Sequence, residues 1–137
     1  MPVRYSINPE LGIVFIFCEG LFTDVEFFKV MRIMYAHKSY RPQMHRLVDL
    51  FSASEDFSSM DEIRSNIKHR DKIFDENVQF GNTILLTYSK SISLFINALE
   101  TDFKIKYYAV ASLGKAISLL GFQDREQEII DFYNQSK

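Results

Sequence analysis

Ile13-Val-Phe-Ile-Phe-Cys-Glu-Gly-Leu-Phe-Thr-Asp-Val-Glu-Phe-Phe-Lys-Val-Met-Arg-Ile-Met34 decides the fold. Its first six residues, Ile13 to Cys18, are apolar on both faces, which predicts a central strand covered on two sides. Gly20 is expected to end that strand. Thr23 and Glu26 then form a capping box, in which each side chain can bond a backbone N–H of the other's turn. Phe22 before the cap and Phe27 within the helix fit the accompanying hydrophobic staple. Phe27, Val30, Met31 and Met34 recur at helical spacing and should face the sheet, with the helix ending near His37.

Upstream, Val3 to Ile7 alternates apolar and polar like a half-exposed strand, and Asn8-Pro-Glu-Leu-Gly12 supplies hairpin turn chemistry. Downstream, Leu47-Val-Asp-Leu50 reads as a short buried strand leading into a polar-edged loop, Phe51 to Phe57. Ser58 is expected to cap a second helix, with Asp61 and Glu62 in its first turn and Met60, Ile63, Ile67 and Phe74 as its apolar stripe. Thr83 to Tyr88 is a strand. Ser91 can cap a third helix whose stripe is Ile92, Phe95, Ile96, Leu99 and Phe103. Ile105 to Val110 is the last strand, and Lys104 and Lys106 mark it as an edge. Ser112 caps a helix stopped at Gly121, with Ile117 and Phe122 placed for the contact of a Schellman motif. Ile129, Ile130, Phe132 and Tyr133 suit a terminal helix, about residues 124–134, packed on the body. The order β-β-α-β-α-β-α-β-α predicts an α/β fold: one domain over residues 1–137, with a five-stranded, mixed but mostly parallel sheet flanked by helices.

Composition agrees with a self-sufficient globular core: 137 residues, 47% hydrophobic and 25% charged. Thirteen Phe and no Trp give much apolar area without polar handles, so most of these rings should be internal. A net charge of −2 provides no field for a polyanion, and no RNA-binding signature or helix-turn-helix pattern is present, so nucleic acid is not an expected partner. Lys29, Arg32, Lys38, Arg41 and Arg46 nonetheless run without an intervening acid, with His37 and His45 among them. Such a strip could meet phosphate or an anionic surface, or could be the solvated face of a helix and its exit loop. The one cysteine, Cys18, excludes an intramolecular disulfide. No basic segment leads into an apolar stretch at the start, and no apolar run is long enough to span a bilayer, so the expected compartment is the cytoplasm.

Catalytic patterns are missing. His37, His45 and His69 include no pair at metal-ligand helical spacing. His45 and Asp49 would share a strand face yet stand ~13 Å apart. Ser89 lacks the glycines of a nucleophile elbow, and Leu113-Gly-Lys115 lacks the rest of a phosphate loop. No enzyme activity, cofactor or metal site is expected. The strand C-termini should instead share a rim, where ligands and partners meet such folds. That rim gathers Leu21 and Phe22, Asp49 to Phe57, Tyr88 to Ser91 and Val110 to Ser112. Phe51 and Phe57 flank its serine-and-acid loop, either as interaction hot spots or tucked beneath it.

The element order, the turn Asn8 to Gly12, Ser39-Tyr-Arg-Pro42 before Leu47-Val-Asp-Leu50, and Ser112 to Gly121 together resemble the STAS domain. STAS domains are named for sulfate transporters and anti-sigma-factor antagonists. The likeness is greatest to the stand-alone bacterial branch often called SpoIIAA-like, over residues 3 to 122. It implies non-catalytic regulation through a protein partner, for which the strand-end rim offers Phe22, Asp49, Phe51, Phe57, Ser58, Ser59 and Ser89 as candidate residues. Antagonists of this kind carry an Asp-Ser-Ser-Gly-like element whose first Ser is phosphorylated. The matching Phe57-Ser58-Ser59-Met60 keeps both serines but departs from the pattern at its ends. Sec14-like lipid-binding domains share the strand-helix order, which implies as an alternative an apolar small molecule or lipid under the helix-lined face. An exposed edge strand or Phe patch could also support a homodimer.

Overall fold

A computed structural model describes residues 2–56, 60–89, 96–97, 99–100 and 102–137 of the chain. Five strands form one sheet in chain order. β1 (Val3–Asn8) and β2 (Ile13–Thr23) make the antiparallel hairpin. β3 (His45–Asp56), β4 (Thr83–Leu86) and β5 (Tyr107–Val110) follow, each parallel to its predecessor. The hairpin turn works as its residues dictate: Leu11 N–H donates to Asn8 Oδ1 at 3.0 Å, and Gly12 takes φ +68°.

Alternation along β2 sorts the core into two layers. Val14, Ile16 and Cys18 face α1 (Asp24–Tyr35) and α2 (Met60–Ile73). Ile13, Phe15 and Phe17 face α3 (Leu113–Leu119) and α4 (Glu126–Ser136). In α1, Thr23 Oγ1 accepts the Glu26 N–H at 3.2 Å, and the rings of Phe22 and Phe27 lie 6.2 Å apart as the staple. Phe27, Val30, Met31 and Met34 are all buried. Ser112 Oγ caps α3, and Phe122 N–H donates to the Ile117 carbonyl at 3.0 Å across Gly121 at φ +74°, completing the Schellman stop.

Three expectations change. Gly20 does not end β2: at φ +64° it lies inside a strand whose register shifts between Phe17 and Glu19, and the chain runs on to Thr23. β3 likewise continues through most of the supposed loop, because Glu19 to Thr23 pair with Ser52 to Asp56. The result is a two-stranded parallel ribbon projecting past the last pairings of β1 and β4. Phe103 is 97% exposed rather than part of a helical stripe, because the adjacent Asp102 turns inward to Arg70. Ile96, Asn97 and Leu99 are helical, and Leu99 is buried on the α1/α2 face. The remainder of the expected third helix, with Ser91, Ile92 and Phe95, lies outside the described residues. β5 is an edge strand, as its flanking lysines predict. Among the described residues no helix is long and apolar enough to cross a membrane.

Candidate functional site: a polar row and a cavity beneath two helices

Strand register creates the most unusual feature of the interior. Arg46, Thr83 and Tyr107 are direct partners across β3, β4 and β5, so three polar side chains stand in one row beneath α1 and α2. α2 adds Asn66 and Arg70, four residues apart on the stripe that also carries Ile63 and Ile67. Tyr35 comes from the end of α1.

Two clusters result. Arg70 forks onto Asp102 with N···O distances of 2.6 and 2.9 Å, and Tyr107 O–H donates to the same carboxylate at 2.5 Å. The Phe80 ring lies 4.6 Å from the Arg70 guanidinium. Burial acts to raise the pKa of Asp102, but hydrogen bonds from Arg70 and Tyr107 and the Arg70 charge outweigh it, holding the group below the usual carboxylate range. Burial likewise opposes the charge on Arg70, and the Asp102 hydrogen bond and charge reverse that, so its pKa is raised.

The second cluster has no acid. Arg46, 3% exposed, donates from Nε to Thr83 Oγ1 at 2.9 Å and from Nη1 to Tyr40 Oη at 3.0 Å and the Met44 carbonyl at 3.3 Å. Its Nη2 donates to the carbonyl of Gly81. Gly81 must be glycine, since a Cβ would lie 2.6 Å from the Gln43 carbonyl oxygen and nearer still to that of Met44. Arg46 is therefore not part of a solvated basic strip. It is internal, and its partners are neutral oxygens.

Between these clusters lies a cavity of about 40 Å³, walled mainly by Ile16, Phe27, Met31, Val48 and Leu85. Arg46, Thr83, Tyr107, Tyr35 and Asn66 supply its polar lining. Asn66 Nδ2 donates to Tyr35 Oη at 3.3 Å, whereas its Oδ1, fully buried, has no hydrogen-bond partner. Burial, above all, raises the Tyr35 pKa, so the phenol keeps its proton.

The residues expected at the rim disperse. Phe22 is 1% exposed and belongs to the core, because it is the staple for α1. Asp49, 2% exposed, lies below the rim on the α4 side, where it accepts from Tyr133 O–H at 2.6 Å, Lys137 Nζ at 2.9 Å and Phe51 N–H at 3.0 Å. Phe51 is half-buried and packs on Tyr88 with centroids 4.6 Å apart and ring planes tilted by 33°. Ser89 is exposed beside Tyr88. Phe57, Ser58 and Ser59 lie outside the described residues. Among the described residues, Leu21 and Tyr88, 78% and 75% exposed, carry the apolar surface at this end. In the basic strip, Lys29, Lys38 and Arg41 are exposed, whereas Arg32 binds Ser65 at 3.1 Å and pairs with Glu62 at 3.9 Å. The strip is discontinuous.

His45 Nδ1 accepts the Asn82 N–H at 3.0 Å, and burial followed by the Arg46 charge lowers its pKa. That leaves a neutral, structural ring. Among the described residues no group of three or more His, Cys, Asp or Glu side chains is placed to hold a metal ion. Among the described residues the arrangement pairs no nucleophile with a base. Sequence reasoning passed over Tyr35, Asn66, Arg70, Asp102 and Tyr107. The available signal was polar residues at core-facing positions: Asn66 and Arg70 interleave with Ile63 and Ile67, and Arg46 alternates with Val48 and Leu50.

The geometry defines an α/β protein with a mixed five-stranded sheet, polar-lined on one face. No protein-family model matches the chain, and no curated protein is significantly similar to it.

Proposed function

We propose that the chain is a non-enzymatic regulatory module, STAS-like in kind and cytoplasmic, that presents the C-terminal rim of its sheet to a protein partner. One observation carries this reading. Leu21 and Tyr88 are 78% and 75% exposed at the end where the parallel strands finish. Exposed apolar and aromatic side chains at a sheet end suit an interaction hot spot, and Phe51 packs behind Tyr88. The projecting ribbon of β2 and β3 holds Leu21 away from the body.

The test compares three baits in quantitative affinity capture from cells that make the protein: wild type, Leu21→Ser with Tyr88→Ser, and Lys29→Glu with Arg41→Glu. All the substituted residues are exposed, so circular dichroism should show unchanged folds. A partner set kept by wild type and the charge variant but lost by the rim variant is expected. Equal capture by all three would sink the rim reading.

The alternative, an apolar small molecule under the helix-lined face, has one observation in its favour: the cavity lies there and its walls are mostly apolar. At about 40 Å³ the cavity suits a few atoms rather than an acyl chain.

A further inference from the structure

We infer that the cavity between α1, α2 and the sheet is a binding site for a compact organic monoanion, a carboxylate of formate or acetate size. Three observations converge on this chemistry, and none of them involves the rim.

The first is charge. Of the described residues lining the cavity, Arg46 alone is charged. The neighbouring charged cluster neutralises itself, since Arg70 and Lys104 are matched by Asp102 and Asp71. Arg46 has neutral oxygens in place of a counter-ion. A guanidinium offers five N–H groups, and the Nη2 atom of Arg46 is bonded only to the Gly81 carbonyl. Among the described residues, one N–H of this buried cation is thus left without an acceptor. Buried charges are ordinarily paired, so an anion supplies what the chain omits.

The second is the Asn66–Tyr35 pair. Asn66 is 6% exposed, lines the cavity and leaves one amide atom unpartnered. The Tyr35 hydroxyl accepts from Asn66, and among the described residues no acceptor takes its own proton. Turning the Asn66 amide over lets Oδ1 accept from Tyr35 and directs Nδ2 as a donor into the cavity, an exchange that leaves the heavy-atom positions unchanged. Arg46 and Asn66 then present donors to one carboxylate.

The third is size. A water needs roughly 10–15 Å³ of such space, so 40 Å³ admits about three atoms of that size. Apolar walls from Phe27, Met31 and Leu85 suit a methyl group beside the carboxylate. The same dry surroundings strengthen charge-assisted hydrogen bonds.

The test uses the full chain in carboxylate-free buffer, with ¹⁵N NMR of the Arg46 and Asn66 side chains during titration with acetate and, separately, its neutral isostere acetamide. Saturable shifts with acetate, and binding of acetamide weaker by about tenfold or more, are expected from replacing a charge-assisted bond by a neutral one. Asn66→Leu, which leaves the Arg46 clamp intact, should abolish the acetate shifts. Equal affinity for acetate and acetamide would overturn the anion assignment while leaving a small-molecule site. No saturable shift with either would overturn the site itself and identify the cavity as room for water only. Neither result bears on partner capture at the rim, so the two proposals fail separately.

Discussion

On the α3/α4 face, Phe15 and Phe17 stack with centroids 5.7 Å apart, and Phe15 meets Phe132 and Tyr133 of α4 at 5.4 and 5.2 Å. Ile84, Leu86, Ile117 and Ile129 complete a close-packed apolar layer there. On the opposite face of the same strands, Arg46, Thr83 and Tyr107 line up under Asn66 and Arg70, and a cavity is left among them. The first face needs only volumes that fit. The second needs each donor to meet an acceptor, and at Arg46 and Asn66 that matching is incomplete. Buried ion pairs are commonly no more stabilising than apolar residues of the same volume. Stability alone therefore does not account for the polar face.

The largest effect expected from breaking this contrast is at Asp102. Asp102→Ala removes the buried partner of Arg70 and leaves only the exposed Asp71, 3.0 Å from Nη2, as its acid, and urea unfolding at neutral pH should show a loss of about 3–5 kcal/mol. Because the carboxyl is held below its unfolded pKa of about 3.9, its stabilisation is present above that value and disappears as pH falls through the folded pKa. The gap between wild type and Asp102→Ala should accordingly be constant above about pH 5 and shrink at lower pH. A double variant, Arg70→Met with Asp102→Leu, should recover most of the loss. A smaller effect, about 3 kcal/mol, is expected for Ile129→Ala on the apolar face. Its gap from wild type should not change with pH, since no titrating group is removed. A pH-dependent gap there would show that the faces are electrostatically coupled. Thr23→Ala, which removes only the α1 cap, should cost about 1 kcal/mol in the same urea assay.

How far each face was legible follows from these differences. The apolar face follows from pattern: the two-sided run Ile13 to Cys18 and the stop at Gly121 specify strand, helix end and layer without tertiary knowledge. α1 was legible for the same reason, since its cap and staple are local. β2 and β3 ran longer than the pattern implied, because their ends are stabilised by pairing with each other and not by alternation in either segment. The polar face was illegible as a site. Arg46 reads as one more cation in a basic run until the register sets it beside Thr83, and Asp102 reads as a helix-end acid until the chain folds it onto Arg70, thirty-two residues earlier. Likewise, nothing in the text near Asp49 indicates that Tyr133 and Lys137 cover it.

The smallest change in stability is expected at the residue that most sharply separates a binding face from a merely polar one. Asn66→Leu exchanges a buried amide for an apolar side chain of similar size. It forfeits the hydrogen bond to Tyr35, a net contribution of about 1 kcal/mol. It also removes one buried amide atom that the fold leaves unpartnered in either orientation of the amide, whose desolvation costs about 1–3 kcal/mol. The two terms oppose each other, so the urea midpoint should stay at the wild-type value or rise by the equivalent of at most about 1–2 kcal/mol. If Asn66→Leu instead destabilised the fold by more than about 2 kcal/mol, the amide would be structural and the comparison between the faces would collapse into two styles of core. An unchanged or raised midpoint means that the polar face keeps an atom the fold does not need, which is the property a ligand site requires.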